Sequence, residues 1–395
     1  MALRDDLEKI LRAWNSYELA RQAPAVIDFD CSPGHQNSAG TPLDRLTAYQ
    51  EILKVQKAAA EQSDAALADR AYAHLTYLRA LMGERDPLDS YVLATQGCHA
   101  KSWPEPYIQQ VGETARACLD SMGIQWSAET RTVLANHEQI VDPVDAPDAI
   151  EQAARELESA VRNVARTSAP FTLRVETTNL DAYWAYWTDG IGQDVRVRLN
   201  MKQAQFTRVL IRQFALHEVL GHGLQGASYS QRCSAESVPW VRLLSVHAQQ
   251  QVMLEGLAQA LPLFIIPEDE LLITRVRLDH YTQLVRSAIH VALNQGSSVE
   301  SCVKYAKEHV PYWSNEDIAD LLTDRGADPL LRSYQWSYPA GIDWFVNLAD
   351  ANAPEAATII QSAYRDPLTP NELANLWPSG PAFGGTGHTA LVGKL

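Results

Sequence analysis

Apolar positions recur at helical spacing along most of the chain. Over 5–22, Leu7, Ile10, Leu11, Trp14 and Leu19 follow that spacing, and Ala23-Pro24 ends the run. Residues 30–42 hold Cys31, Ser32, Pro33, Gly34, Gly40 and Pro42 and read as a loop. Helices are predicted over 43–62 and 64–83, the latter with Ala71, His74, Leu75, Leu78 and Leu81 on adjacent faces. Further helices are predicted over 87–95, 105–122, 127–139 and 147–167. The period changes after Ser168-Ala169-Pro170. Residues 171–177 and 195–200 alternate apolar with polar, the signature of strands. Between them lie Tyr183, Trp184, Tyr186 and Trp187 and a turn at 189–192. From 201 to 348 the pattern is helical again, broken near Pro239, Pro267, Gly296, Pro311 and Gly326, and the glycine-rich 380–395 reads as irregular. The expected fold is mainly α with a small β element. The expected division is a helical region at 1–167 and a site-bearing region at 168–395, or one continuous globule of both.

Composition narrows the function classes. The 395 residues are 46% apolar and 21% charged, ordinary globular proportions that exclude a disordered or collagen-like chain. Lys and Arg number 33 against 48 Asp and Glu, a net charge of −15. With no basic run, that charge argues against nucleic acid and anionic membrane as partners. Cys31, Cys98, Cys118, Cys233 and Cys302 are widely spaced with no CxxC, which suits isolated thiols in a reducing compartment. The opening MALRDDLEKILRAW has no apolar signal-peptide core. The longest apolar stretch, 254–266, carries Glu255 and is too short for a membrane span. The expectation is a soluble cytoplasmic protein.

Candidate chemistry sits at 214–225, FALHEVLGHGLQ. A zinc-hydrolase HExxH motif puts two histidines four apart on one helix face, with the glutamate beside them as general base. Here His217 and His222 are five apart. At about 100° per residue that leaves them about 140° apart on a regular helix. Gly221 or a one-residue π-bulge would bring them back together. Residues 238–266 read as one apolar helical run whose sole acidic residue is Glu255. A carboxylate among apolar neighbours calls for a charge partner or a metal, so Glu255 is the expected third ligand. Glu236 competes from a polar loop, and His247 reads as core or as support behind the ligands. His137-Glu138 has no downstream histidine at useful spacing and reads as a decoy.

HEVLGHGLQ followed by MLEGLAQAL resembles a bacterial zinc-peptidase-like family of unknown function that carries HExxPGHHLQ and then EGWALY. RLDHYTQLVRSAIHVALNQGSSVESCVKYA and WSYPAG resemble later segments of that family. The hexapeptide itself is closer to the HELLGH of dipeptidyl peptidase III, and both families belong with the gluzincins. The resemblance covers about 195–370. It departs where the Pro before Gly221 is absent, where EGLA replaces EGWA, and where Leu293 stands at a family histidine, with His290 one turn away.

The resemblance implies a helical gluzincin-like metallohydrolase with its β element beside the metal helix. His217, His222 and Glu255 would be ligands and Glu218 the base. Tyr338 would bind the developing oxyanion, with Tyr334 as rival. The strand at 195–200 would be an edge strand that pairs with an extended substrate, through Val195 and Val197 and with Arg198 near a substrate carboxylate. The pattern of that strand fits a plain core strand as well, and solvation is the preferred reading of Arg196 and Arg198. The leading expectation is a zinc-dependent hydrolase of short peptides or small amides, with iron or manganese as other metals. The alternatives are a metabolite-specific metalloenzyme and an inactive binding protein on the same fold.

Overall fold

The computed structural model describes residues 3–34, 40–181, 185–202 and 204–385, apart from the side chains of 323–327. Tyr183, Trp184 and most of the expected irregular tail lie outside these.

Helix α1 (Leu3–Ala20) leads into the two-residue strand β1 (Phe29–Asp30). Then come α2 (Arg45–Glu61), α3 (Ala65–Leu81), α4 (Leu88–Gln96), α5 (Glu105–Ser121) and α6 (Thr130–His137). Strand β2 (Ile140–Val141) and α7 (Ala146–Ala165) follow. These helices fall where the apolar spacing predicts. Asp44 and Asp64 accept amide hydrogens of the first turns of α2 and α3, as good N-caps do.

The β texture becomes β3 (Thr172–Thr178), β4 (Tyr186–Ile191) and β5 (Asp194–Asn200), followed by β6 (Phe206–Thr207). A five-stranded sheet has the order β3-β5-β4-β1-β7, where β7 is Leu243–Leu244. β3 and β5 pair in parallel from Thr172↔Asp194 to Thr178↔Asn200. β4 and β5 form an antiparallel hairpin. Gly192, at φ +65°, makes its turn in the left-handed region that glycine tolerates.

Thr207 caps α8 (Arg208–Phe214), accepting from Leu210 N. The helix continues without a break through a π segment, Ala215–Gly223, into α9 (Leu224–Ala235). Next come α10 (Gln251–Ala260), α11 (Pro262–Ile265), α12 (Glu270–Asn294), α13 (Val299–His309) and α14 (Asn315–Ala327). The described chain closes with α15 (Pro329–Tyr334), α16 (Ser337–Asp350), α17 (Ala356–Arg365) and α18 (Pro370–Leu376).

The expected helical run at 238–266 is corrected here. Helix begins only at Gln251, and the preceding residues form a loop and β7. Leu244 O accepts from Asp28 N, and Arg242 O accepts from Cys31 N. Val241, Leu243 and Val246 bury against α1–α3, so their apolar character serves a tertiary surface and not a helix stripe.

One hydrophobic core joins α4–α7, β5, the motif helix, α10, α12 and α16, and so runs across position 167. A smaller cluster holds α1–α3 together with Val241, Leu243, Val246 and Leu330. Two close crossings frame the site. A Cβ on Gly223 would lie 2.8 Å from Val195 Cγ1, so the π segment lies against β5. A Cβ on Gly256 would lie 2.4 Å from the Gly341 backbone, so α10 and α16 cross at backbone contact. No helix among the described residues is long and apolar enough to cross a membrane.

Candidate metal centre

The i, i+5 histidines converge because the helix that carries them is a π-helix there. Its i→i+5 ladder puts residues five apart on the same side, one turn up. Tyr364 OH donates to Leu220 O within that segment (2.6 Å). His217 Nε2 and His222 Nε2 stand 3.1 Å apart with their rings perpendicular.

α10 supplies the third donor. Glu255 Oε2 is 3.3 Å from His217 Nε2 and 3.6 Å from His222 Nε2. Glu255 Oε1 is satisfied, accepting from Gln251 Nε2 (2.9 Å) and Tyr334 OH (2.7 Å). Oε2 is buried with no hydrogen-bond partner among the described residues. A tetrahedral zinc ion with bonds of about 2.0–2.1 Å holds its ligand atoms roughly 3.3 Å apart. The observed triangle of donors, an orphaned carboxylate oxygen among them, fits such an ion.

Electrostatics follow from the same proximity. Burial raises the Glu255 carboxyl, but His222 and His217 overcome it and hold the group well below the usual carboxylate range. Burial pulls the His217 imidazolium down, and Glu255 and Glu218 more than offset it, so its pKa is raised. Glu218 lies beside the triangle, with Oε1 3.9 Å from His217 Nε2. Thr188 Oγ1 of β4 donates to its Oε2 (2.6 Å) and holds its orientation.

Two tyrosines extend the network. Tyr334 OH donates to Glu255, so in the 2.6 Å contact between the phenols Tyr338 is the donor. Burial and the Glu255 charge push the Tyr334 phenol well above its ordinary value. Both line a cavity of about 180 Å³ with Glu218, His222, Glu255 and Thr188. Asp28, from the segment entering β1, also lines it. Burial, with Asp189 and Glu255 nearby, raises the Asp28 carboxyl well above the usual range. Its Oδ1 has no hydrogen-bond partner among the described residues.

The strand expectation is corrected. Residues 195–200 are not an edge: β5 is paired with β3 on one side and β4 on the other. Val195 and Val197 are fully buried core residues. Arg198 and Arg196 both bind Asp189 of β4 (2.7 and 2.9 Å). The strands that border the cavity are β4, through Tyr186, Trp187 and Thr188, and the short β1 and β7, through Phe29 and Leu244; along β4, β1 pairs at Gly190 and Ile191 alone.

The other candidates sort by place. Glu236 is exposed and paired with Arg232. His247 is buried against His74 (Nε2 to Nδ1, 2.9 Å) and stacked on Tyr77. Glu138 is buried and paired with Arg275 and Thr207, a structural use of the His137-Glu138 decoy. Gln251 was legible as the i−4 neighbour of Glu255 on one helix face. Thr188 and Asp28 come from strand segments far along the chain, and no spacing in the sequence signals them.

The chain matches no protein-family model and no curated protein. It is similar in fold to a crystal structure described as a "putative lipoprotein" from Colwellia psychrerythraea, with a TM-score of 0.51 and 12% sequence identity. The similarity covers 83% of this chain, which spans 58% of that one.

Proposed function

We propose that this chain is a zinc-dependent hydrolase of short peptides or small amides. The observation that supports this best is the triangle of His217 Nε2, His222 Nε2 and Glu255 Oε2, with edges of 3.1–3.6 Å. The resemblance of HEVLGHGLQ and MLEGLAQAL to zinc-peptidase-like sequences supports the same reading. His217, His222 and Glu255 would hold the ion, and two imidazoles with one carboxylate leave a fourth position open. Zinc bound there supplies the Lewis acidity that amide hydrolysis needs at neutral pH.

This chain's own residues then carry the protons. Glu218, held at Oε2 by Thr188, takes a proton from the attacking water at Oε1 and passes it to the departing amine. Tyr338 faces the cavity and turns its hydroxyl proton from Tyr334 to the carbonyl oxygen as charge develops. Tyr334 stays with Glu255 and keeps the ligand oriented. A cavity of about 180 Å³ suits short substrates better than folded proteins. Five unpaired cysteines, three of them buried, suit a reducing compartment such as the cytoplasm.

The experiment is elemental mass spectrometry of protein purified without added metal or chelator, beside Glu255→Ala and Glu218→Gln. The expected result is one zinc per chain, lost in Glu255→Ala. Glu218→Gln should retain zinc and lose turnover of a peptide library by about 100-fold or more. Full activity in Glu218→Gln sinks the base assignment. No metal after zinc is added back sinks the metal reading. Iron in place of zinc moves the conclusion to a metabolite-specific enzyme, since the same ligand set serves both metals.

A further inference from the structure

Beyond the metal cavity lies a second chamber of about 340 Å³. The two share Tyr186 and Trp187 of β4 and Tyr334 and Tyr338 of α15 and α16, so four aromatic residues form a common neck. Past the neck the walls are Leu331, Trp336 and Pro339 on one side and α12 on the other, through Ser287 and His290. His290 presents no charge there: burial lowers its pKa to about 3. Its ring nitrogens are engaged by Trp336 Nε1 (3.0 Å) and by the Gln335 amide (2.8 Å). The chamber thus offers ring faces and aliphatic carbon, with the polar ends of Gln283 and Arg286 of α12 at its wall. A dry cavity of about 150 Å³ suffices for benzene, so this one has room for a ring and its linker.

We propose that this chamber is the specificity subsite and takes a large aromatic group attached next to the scissile carbonyl. The inference rests on the metal-hydrolase reading and adds the substrate class to it: peptides or amides with a phenyl- or indole-sized side chain at that position. The neck sets the spacing. A carbonyl at the metal cavity, beside Glu218 and Tyr338, leaves its neighbouring side chain directed between Trp187 and Tyr334 into the chamber.

The test uses the zinc-loaded full chain and two hydroxamates, acetohydroxamate and 3-phenylpropionohydroxamate, titrated by calorimetry. Both present the same metal-binding head, and only one carries a ring. Burial of the ring should tighten binding of the second by about 10- to 100-fold. Ser287→Leu, which fills the chamber from α12, should bring the phenyl probe down to the affinity of acetohydroxamate. Gln283→Trp, one turn earlier on α12 and also lining the chamber, should do the same should Ser287→Leu fail to fold. Equal affinity of the two probes for the unmodified protein overturns the subsite and leaves the metal reading standing. An affinity gap that survives both variants also overturns it. No binding of either probe removes the metal reading, and the subsite with it.

Discussion

Tyr334 and Tyr338 are four residues apart and in contact, yet the geometry gives them different work. Tyr334→Phe deletes the hydroxyl that donates to Glu255 Oε1 at 2.7 Å. Glu255 is 3% exposed at its side chain, so water does not replace the lost donor. A hydrogen bond to a charged group contributes about 1.5–3 kcal/mol. At about 1.4 kcal/mol per tenfold, zinc affinity should fall roughly 10- to 150-fold. That agrees with the 10- to 100-fold loss on removing groups that orient metal ligands. Gln251 Nε2 still donates to Oε1, which favours the lower half of the range. Tyr338→Phe touches no ligand and should leave zinc affinity within about twofold, while turnover falls about 100-fold. Competition against a chromogenic chelator reads the affinity, and initial rates at saturating zinc read the turnover. Equal loss of zinc affinity in both variants, or none in Tyr334→Phe, refutes the division of roles.

Glu138→Ala should lower stability by about 3 kcal/mol or more in urea titration, because it leaves Arg275 partly buried without its carboxylate, while zinc content is unchanged. Loss of zinc in that variant would return His137-Glu138 to the candidate site. Gly341→Ala places a Cβ 2.3 Å from Val252 O and should part α10 from α16. It should cost about 1–3 kcal/mol and weaken zinc binding through Glu255, and an unchanged melting temperature would contradict the crossing. The pKa of His74 is lowered to about 3 and that of His247 well below its ordinary value, both chiefly by burial. The unfolded chain binds these protons near pH 6.5 and the folded chain does not. Stability should therefore fall as pH drops from about 6.5 towards 3, by about 1 kcal/mol per unit for each histidine. Denaturation midpoints at pH 7, 6 and 5 read the slope, and a His74→Gln, His247→Gln double variant should flatten it.

Much of the fold was legible because helices are local. Apolar residues at 3.6-residue spacing predict a helix at 64–83, and the structure has one at Ala65–Leu81. The stretch 238–250 shows the limit of that signal. Val241, Leu243 and Val246 bury as well in a loop against α1–α3 as they would on a helix stripe, and periodicity does not say which neighbour arrives. Strand order is likewise non-local. Residues 195–200 read as a strand, but only pairing with β3 and β4 decides that it is interior and not an edge. Their alternation is the same in either place.

By itself, the sequence determined the mainly helical class, the small β element and the residue types able to bind a metal: His217, His222 and Glu255, with Glu218 beside them. Only the tertiary structure decided that they meet. A π segment rephases the two histidines, and the Gly256–Gly341 crossing sets α10 against α16. Tyr334 and Thr188 then fasten the two carboxylates. A spacing of five leaves two side chains apart or together according to the hydrogen-bond ladder of the helix. Tertiary contacts lie against that helix, Val195 at Gly223 and Tyr364 at Leu220, while Gly221, whose Cβ would lie 2.9 Å from Leu216 O, leaves the ladder its room.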